Sequence, residues 1–128
     1  MLRRIVLALA VVTSLVLVPS SASAFQSDNV QLLGKFPEAT GAIGARFSPD
    51  GSTMYVTAAS GLFTYDVRVP AAPRRLGRLP LPHFENEDVD VGRVDGRDIV
   101  VISNDPSFNL GIYGALYVID VTDAANPT

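Results

Sequence analysis

Short stretches of strand-favouring residues, separated by Gly, Pro and Asp turns, follow one another from residue 31 onward. β-Branched and aromatic residues fill these stretches, as is typical of β-strands. In the first half of the chain they cover 31–36, 41–47, 53–57, 62–67 and 75–79. Pro49-Asp50-Gly51 between two of them predicts a hairpin, because Pro presets φ and Gly accepts a positive φ. No helical period occurs in residues 25–128, so the pattern predicts an all-β fold.

The same pattern then returns. Arg75–Pro80 copies Leu32–Pro37 at an offset of 43 residues, and Ile99–Ile102 matches Met54–Thr57 at an offset of 45. A unit of four short strands and about 45 residues has the size of a β-propeller blade. The alternatives are a β-sandwich, which does not predict identity at a fixed offset, and a β-solenoid, whose coils are usually shorter.

We therefore expect a β-propeller with two visible four-stranded blades, blade one at about 43–79 and blade two at about 88–128. Leu116–Val121 matches Leu62–Val67 at an offset of 54, so a nine-residue insertion is expected in 104–114 of blade two.

Leu116–Pro127 reads LYVIDVTDAANP, and Leu62–Pro73 is a weaker copy of it. This segment resembles the LVIVD repeat. Ser48–Val56 resembles the Ser-Pro-Asp-Gly hairpin of WD40-like and YVTN-type propellers. The resemblance implies a secreted or surface β-propeller. Some related propellers are lactonases or other hydrolases that use metal-bound carboxylates near the central channel.

Propellers close with about four to eight blades, and two are visible here. The sequence stops at 126–128, where the fourth strand of blade two is due. The strand at 31–36 is expected to complete a last blade that is not present. We therefore predict an N-terminal fragment of a longer ring. The alternative is a small protein that closes its ring by oligomerising.

The N-terminus has the pattern of a signal peptide. Arg3 and Arg4 precede an apolar run at 5–18, and Ala22-Ser23-Ala24 is a small-residue cleavage pattern. The run is shorter than the roughly 20 residues that a membrane-spanning helix needs. We predict that residues 1–24 are removed during bacterial-type export, leaving a secreted chain without a membrane span.

The net charge and the absence of Cys limit the possible functions and the possible sources of stability. The formal net charge is −3, and residues 25–128 hold 8 basic and 13 acidic residues. This balance argues against nucleic-acid binding, which needs clustered Lys and Arg. The sequence has no Cys, so no disulfides stabilise the exported chain and its core must do so.

The densest polar stretch is 83–90, which contains His83, Glu85, Asn86, Glu87, Asp88 and Asp90. In a propeller this stretch and the 104–114 insertion rise on the same face. Carboxylate oxygens are the ligands that Ca²⁺ prefers, which predicts a Ca²⁺ site at Glu85, Glu87 and Asp88, with Asn86 or Asp105 as further candidates. The competing interpretation is a solvated acidic loop, since the spacing matches no known Ca²⁺-binding loop.

The other polar and aromatic candidates are weaker. His83 has no second His or Cys for a zinc site, so a simple loop residue is the preferred interpretation. Asp66 and Asp120 are interpreted as turn residues that bind backbone amides. Phe108 and Tyr113 either contact a glycan or peptide or pack within their own loop.

These features predict a non-enzymatic interaction or ligand-binding module whose partner is a protein, a glycan or a small ligand. The alternative is a propeller hydrolase of the lactonase type.

Overall fold

The computed structural model describes residues 27–81, 85–105 and 114–128. The chain divides into a unit of Met1–Leu32 and a unit of Leu33–Thr128. In the first unit, the described residues 27–32 form a β-bridge between Ser27 and Val30. The sheets described below lie in the second unit.

Seven strands follow one another in the second unit: β1 Gly44–Phe47, β2 Thr53–Ala58, β3 Gly61–Asp66, β4 Arg74–Pro80, β5 Asn86–Val94, β6 Arg97–Asn104 and β7 Ala115–Asp120. They form two antiparallel sheets, sheet 1 with the order β1-β2-β3-β4 and sheet 2 with the order β5-β6-β7. The described ranges contain no helix, which confirms the all-β class. Nor does any described segment provide a helix long and apolar enough to cross a membrane.

Local turn chemistry determines where the hairpins fold. In sheet 1 the Asp50 carboxylate accepts hydrogen bonds from the Ser48 hydroxyl (2.6 Å) and the Ser52 amide (3.0 Å), and Gly51 takes a φ of 71°. In sheet 2 Asp95 and Gly96 both have positive φ, 50° and 80°. This is the geometry of a two-residue turn whose twist matches that of the paired strands.

The two sheets pack face to face around an apolar core. Sheet 1 contributes Tyr55 and Leu62, sheet 2 contributes Val89, Val100, Ile102 and Ile119, and Val121 follows directly after β7. The opposite face of sheet 1 is covered by the segment before β1. There Phe36 and Ala39 pack on Val56, Phe63 and Tyr65, and the Phe36 and Tyr65 rings are 4.4 Å apart.

Residues 31–36, where a strand was expected, form no strand in this structure. Phe36 instead packs its ring against sheet 1. The expectation that this segment completes another blade stays a prediction.

The pairing register shows which residues of the two sheets are equivalent, and it corrects the equivalence predicted from the sequence. Thr53–Ala58 pairs with Gly61–Asp66, and Ile99–Asn104 pairs with Ala115–Asp120, six residue pairs in each case. Thr57 is therefore equivalent to Ser103, at an offset of 46, and the predicted offset of 45 is wrong.

The cause of this error is the length of the hairpin turns. Five residues separate β1 from β2, but two separate β5 from β6, so aligning the two Asp-Gly pairs shifted the following strands by one residue. The insertion between β6 and β7 consequently comprises eight residues, not nine. The difference matters because a one-residue shift moves every side chain to the other face of the sheet.

Candidate functional site

Three carboxylates meet at one end of sheet 2. Glu85 precedes β5, Glu87 lies within it, and Asp105 follows β6. One carboxylate oxygen from each lies within 4.8 Å of the others. Antiparallel pairing produces this meeting, because the start of β5 and the end of β6 share one edge: Asn86 pairs with Asn104, and the Asp105 amide donates to the Glu85 carbonyl at 3.1 Å.

A β-bulge lies inside this cluster. Asn86 pairs with Asn104 and Val89 pairs with Ile102, so Glu87 and Asp88 together lie opposite the single residue Ser103. Such a bulge interrupts strict alternation and re-aims side chains. Glu85 and Glu87 are two residues apart, a spacing that places side chains on one side of a strand, whereas the exposed Asp88 lies outside the group of three.

Asn86, a candidate ligand from the sequence, has a structural position. Its side chain is fully buried, and its Nδ2 donates to the Ala58 carbonyl of sheet 1 at 3.0 Å. Its Oδ1 accepts a long hydrogen bond of 3.4 Å from Asn104 Nδ2. Asn86 therefore fastens the start of β5 to sheet 1 and supports the carboxylates on either side of it.

Asn104 lies next to the same cluster. It is 5% exposed, and its Nδ2 donates to the Glu85 carbonyl at 2.9 Å. Within the described part of the chain its Oδ1 is buried without a hydrogen-bond partner. Buried polar atoms are almost always paired with protein, water or an ion, so a partner such as an ordered water or a bound cation is expected for this oxygen.

The electrostatics of the cluster are those of crowded negative charge. The pKa of Glu87 is raised above its ordinary value, first by the charge of Asp105, then by desolvation, and then by the charges of Glu85 and Asp88. Like charges at short distance disfavour ionisation. A divalent cation placed among the three carboxylates would remove this repulsion.

The remaining predicted site residues separate into two groups. Asp88 borders a cleft on the outer face of sheet 2, together with Ser103 and Leu116. His83, Phe108 and Tyr113 lie outside the described residues. The predicted Ca²⁺ ligands Glu85 and Glu87 are thus found together with Asp105 and without Asp88.

Asp66 and Asp120 are turn residues, as the sequence suggested. Asp66 Oδ1 accepts a hydrogen bond from the Arg68 amide at 3.1 Å, and Asp120 Oδ1 accepts one from the Thr122 amide at 2.9 Å. The pKa of Asp66 is lowered, first by hydrogen bonding from the Arg68 side chain. Both carboxylates are held in their own turns and lie outside the group formed by Glu85, Glu87 and Asp105.

Sequence reasoning missed an apolar cleft of about 340 Å³ beside sheet 1. Its walls include Leu33, Phe36, Phe47, Met54, Val67 and Pro73. The segment before β1 and two turns of sheet 1 build it together. No local signal marks such a cleft, because it depends on where the segment before β1 packs.

Comparison with known proteins finds no matching family model, no matching curated protein and no matching solved structure. A functional hypothesis for the chain therefore depends on the geometry of its own residues. In that geometry the most chemically specific feature is the cluster of the Glu85, Glu87 and Asp105 carboxylates, with the buried Asn104 next to it.

Proposed function

We propose that this chain is a secreted repeat scaffold that binds ligands without catalysis, and that Ca²⁺ is the ligand of the cluster Glu85, Glu87 and Asp105. The observation that carries the proposal is the approach of three carboxylate oxygens to within 4.8 Å of one another. Next to them lies Asn104, whose buried Oδ1 has no hydrogen-bond partner among the described residues. Ca²⁺ takes six to eight oxygen ligands from carboxylates, amide carbonyls and water.

The donor set favours Ca²⁺ over other metals. The three clustered donor atoms are all carboxylate oxygens, which suit hard cations. Glu85 and Glu87 are half-buried and Asp105 is exposed, so the cluster is open on one side to solvent and to water ligands. Such a partly hydrated site fits the affinity of extracellular modules, with a dissociation constant of about 10⁻⁴–10⁻³ M.

The scaffold is proposed to be a β-propeller of the LVIVD type. Two observations support this architecture: the β2–β3 and β6–β7 hairpins share one register of six pairs, and the sheets pack face to face as successive blades do. The Asp66 and Asp120 turns occupy equivalent places at the ends of β3 and β7. The cluster then lies at the loop end of the second blade, where propellers commonly carry ligands.

Calorimetric titration of the purified chain with CaCl₂, after removal of metal by a chelator, tests the proposal. We expect heat of binding and a raised melting temperature. Glu87→Gln and Asp105→Asn should each weaken binding by about tenfold or more, because ligand charge sets Ca²⁺ affinity over several decades.

Asp95→Asn provides the matched control. It removes the same charge from the β5–β6 turn, at the opposite end of sheet 2, and Asn accepts the positive φ of that position. This variant should bind as the wild type does. Absence of both heat and a thermal shift with the wild-type chain would rule out the Ca²⁺ site.

A further inference from the structure

The outer face of sheet 2 is exposed, although the equivalent face of sheet 1 is buried. Leu62 in β3 is 0% exposed and its equivalent in β7, Leu116, is 67% exposed. Thr64 is likewise 0% exposed and its equivalent, Val118, is 66% exposed. The two hairpins have the same pairing register at these positions. The difference in exposure therefore comes from what covers each sheet, not from how its strands pair.

In sheet 1 the cover is sheet 2 itself. The Thr57 hydroxyl donates to the Glu87 carbonyl at 2.7 Å, and the Thr64 hydroxyl donates to the Ala124 carbonyl at 2.5 Å. Because Gly77 has no side chain, the turn at 124–125 can pack directly against the backbone of β4. The covering surface is thus the first strand and the last turn of the following unit.

The outer face of sheet 2 has some of the same side chains with which sheet 1 contacts sheet 2. Ser103 supplies a hydroxyl at the place of Thr57, and Leu116 repeats Leu62. Ile99 and Val101 extend the apolar surface of this face next to Leu116 and Val118. Asp90, at the place of Arg46, instead accepts a hydrogen bond from its neighbouring Val91 amide at 2.9 Å.

We propose that the outer face of sheet 2, formed by Ile99, Val101, Ser103, Leu116 and Val118, docks a further unit of the same repeat. This inference rests on the repeat architecture proposed above and does not involve the Ca²⁺ site. The occupant is defined by what covers sheet 1: an antiparallel sheet that offers a backbone carbonyl to Ser103 and an apolar face to Leu116. Repeat arrays gain stability through such nearest-neighbour interfaces.

The backbone pairing of Thr128 provides a place where such a unit can be attached for an experiment. Thr128 exchanges both backbone hydrogen bonds with Asp120, at 2.7 and 3.0 Å, as the equivalent Arg74 pairs with Asp66. A copy of residues 75–128 placed directly after Thr128 therefore continues in register, with a fourth strand for sheet 2 followed by a further sheet. This extended chain makes the proposal testable.

The experiment compares urea unfolding of the natural and extended chains. The extended chain should unfold at a higher urea concentration. Leu116→Asp should have little effect in the natural chain. In the extended chain it should weaken folding by roughly 100-fold or more, because it buries an unpaired charge.

The same substitution in the added copy of Leu116 is the matched control. That copy again lies on an uncovered outer face, so the change should be nearly neutral. Val118→Thr at the first copy should be tolerated, because Thr64 is the buried equivalent in sheet 1. An extended chain that unfolds as the natural one does, or that tolerates Leu116→Asp at the first copy, would overturn the proposal.

Discussion

Thr57 and Glu87 link the two sheets through a buried hydrogen bond. The Thr57 hydroxyl is fully buried and donates to the Glu87 backbone carbonyl at 2.7 Å, while its oxygen accepts from the Gly44 amide at 3.0 Å. Glu87 is also one of the three clustered carboxylates. The contact that packs sheet 2 on sheet 1 therefore also fixes the backbone of a candidate ligand.

Replacement of Thr57 by Val should destabilise the protein. Val keeps the shape of Thr but leaves the Glu87 carbonyl and the Gly44 amide without this partner, and an unsatisfied buried group costs about 1–3 kcal/mol. Urea denaturation measures the loss. Thr57→Ser keeps the hydroxyl, so this variant should lose clearly less stability than Thr57→Val. A Val variant as stable as the wild type would show that the bond contributes nothing net.

Replacement of Gly77 by Ala should also destabilise the packing of the sheets. A Cβ at this position would lie 2.5 Å from the Ala125 carbonyl oxygen and 2.7 Å from that of Ala124. Both are backbone atoms, and the Thr64 hydroxyl holds this turn in place. Overpacking of this kind costs about 1–3 kcal/mol.

Gly92→Ala is the control for this prediction, and thermal and urea unfolding are the measurements. Gly92 also lies in a strand, but nothing comes within 4 Å of a Cβ added there. We expect this variant to be as stable as the wild type or slightly more so. If both substitutions reduced stability equally, the loss at Gly77 would not be due to the close approach of the new Cβ to the turn at 124–125.

The strand pattern of this chain was predictable because it is local. Strand-favouring residues mark each strand, and Asp66 and Asp120 bind amides two residues further along their own turns. Such signals need no knowledge of distant partners. The all-β class and the hairpin at Pro49–Gly51 followed from them.

The register and the site depended on distant pairing and were harder to predict. The Asp-Gly turns align at an offset of 45, but the turns differ in length and the following strands align at 46. Asp105 approaches Glu85 because the end of β6 pairs with the start of β5, and no sequence spacing encodes that approach. Asn86 looked like a ligand because its neighbours are acidic, but its partner, Ala58, lies 28 residues away.

Asn86→Ala should therefore reduce stability even when no metal is present. The substitution removes the donor to the Ala58 carbonyl inside a buried region, and we expect a loss of about 1–3 kcal/mol. Denaturation in the presence of a chelator measures it. If Asn86 were only a cation ligand, the metal-free Asn86→Ala variant would unfold at the same urea concentration as the metal-free wild type.

Asn126→Ala is the surface control for Asn86. Asn126 is exposed, and its Nδ2 donates to Asp123 within the same turn at 2.7 Å. Exposed substitutions of this kind usually change stability by about 0.5 kcal/mol or less. A comparable loss at both positions would argue against the anchoring role of Asn86.

Asp66 should make the stability of the protein depend on pH. Its pKa is lowered below the ordinary 3.8 by hydrogen bonds from the Arg68 side chain and amide, with a further contribution from Arg74. In acid, the unfolded chain binds a proton at this group before the folded chain does. The contribution of Asp66 is therefore complete above pH 3.8 and is lost as the pH falls through the lowered pKa.

Asp66→Asn tests this dependence, because Asn still accepts from the Arg68 amide but carries no charge. The variant should be less stable than the wild type at pH 7, and the difference should shrink as the pH falls below 3.8. Added salt should reduce the difference at pH 7, since both guanidinium groups are largely exposed. Asp95→Asn, in a turn of sheet 2, is the control for a general charge effect. A difference between Asp66→Asn and the wild type that stays constant from pH 7 to pH 2 would contradict the assignment.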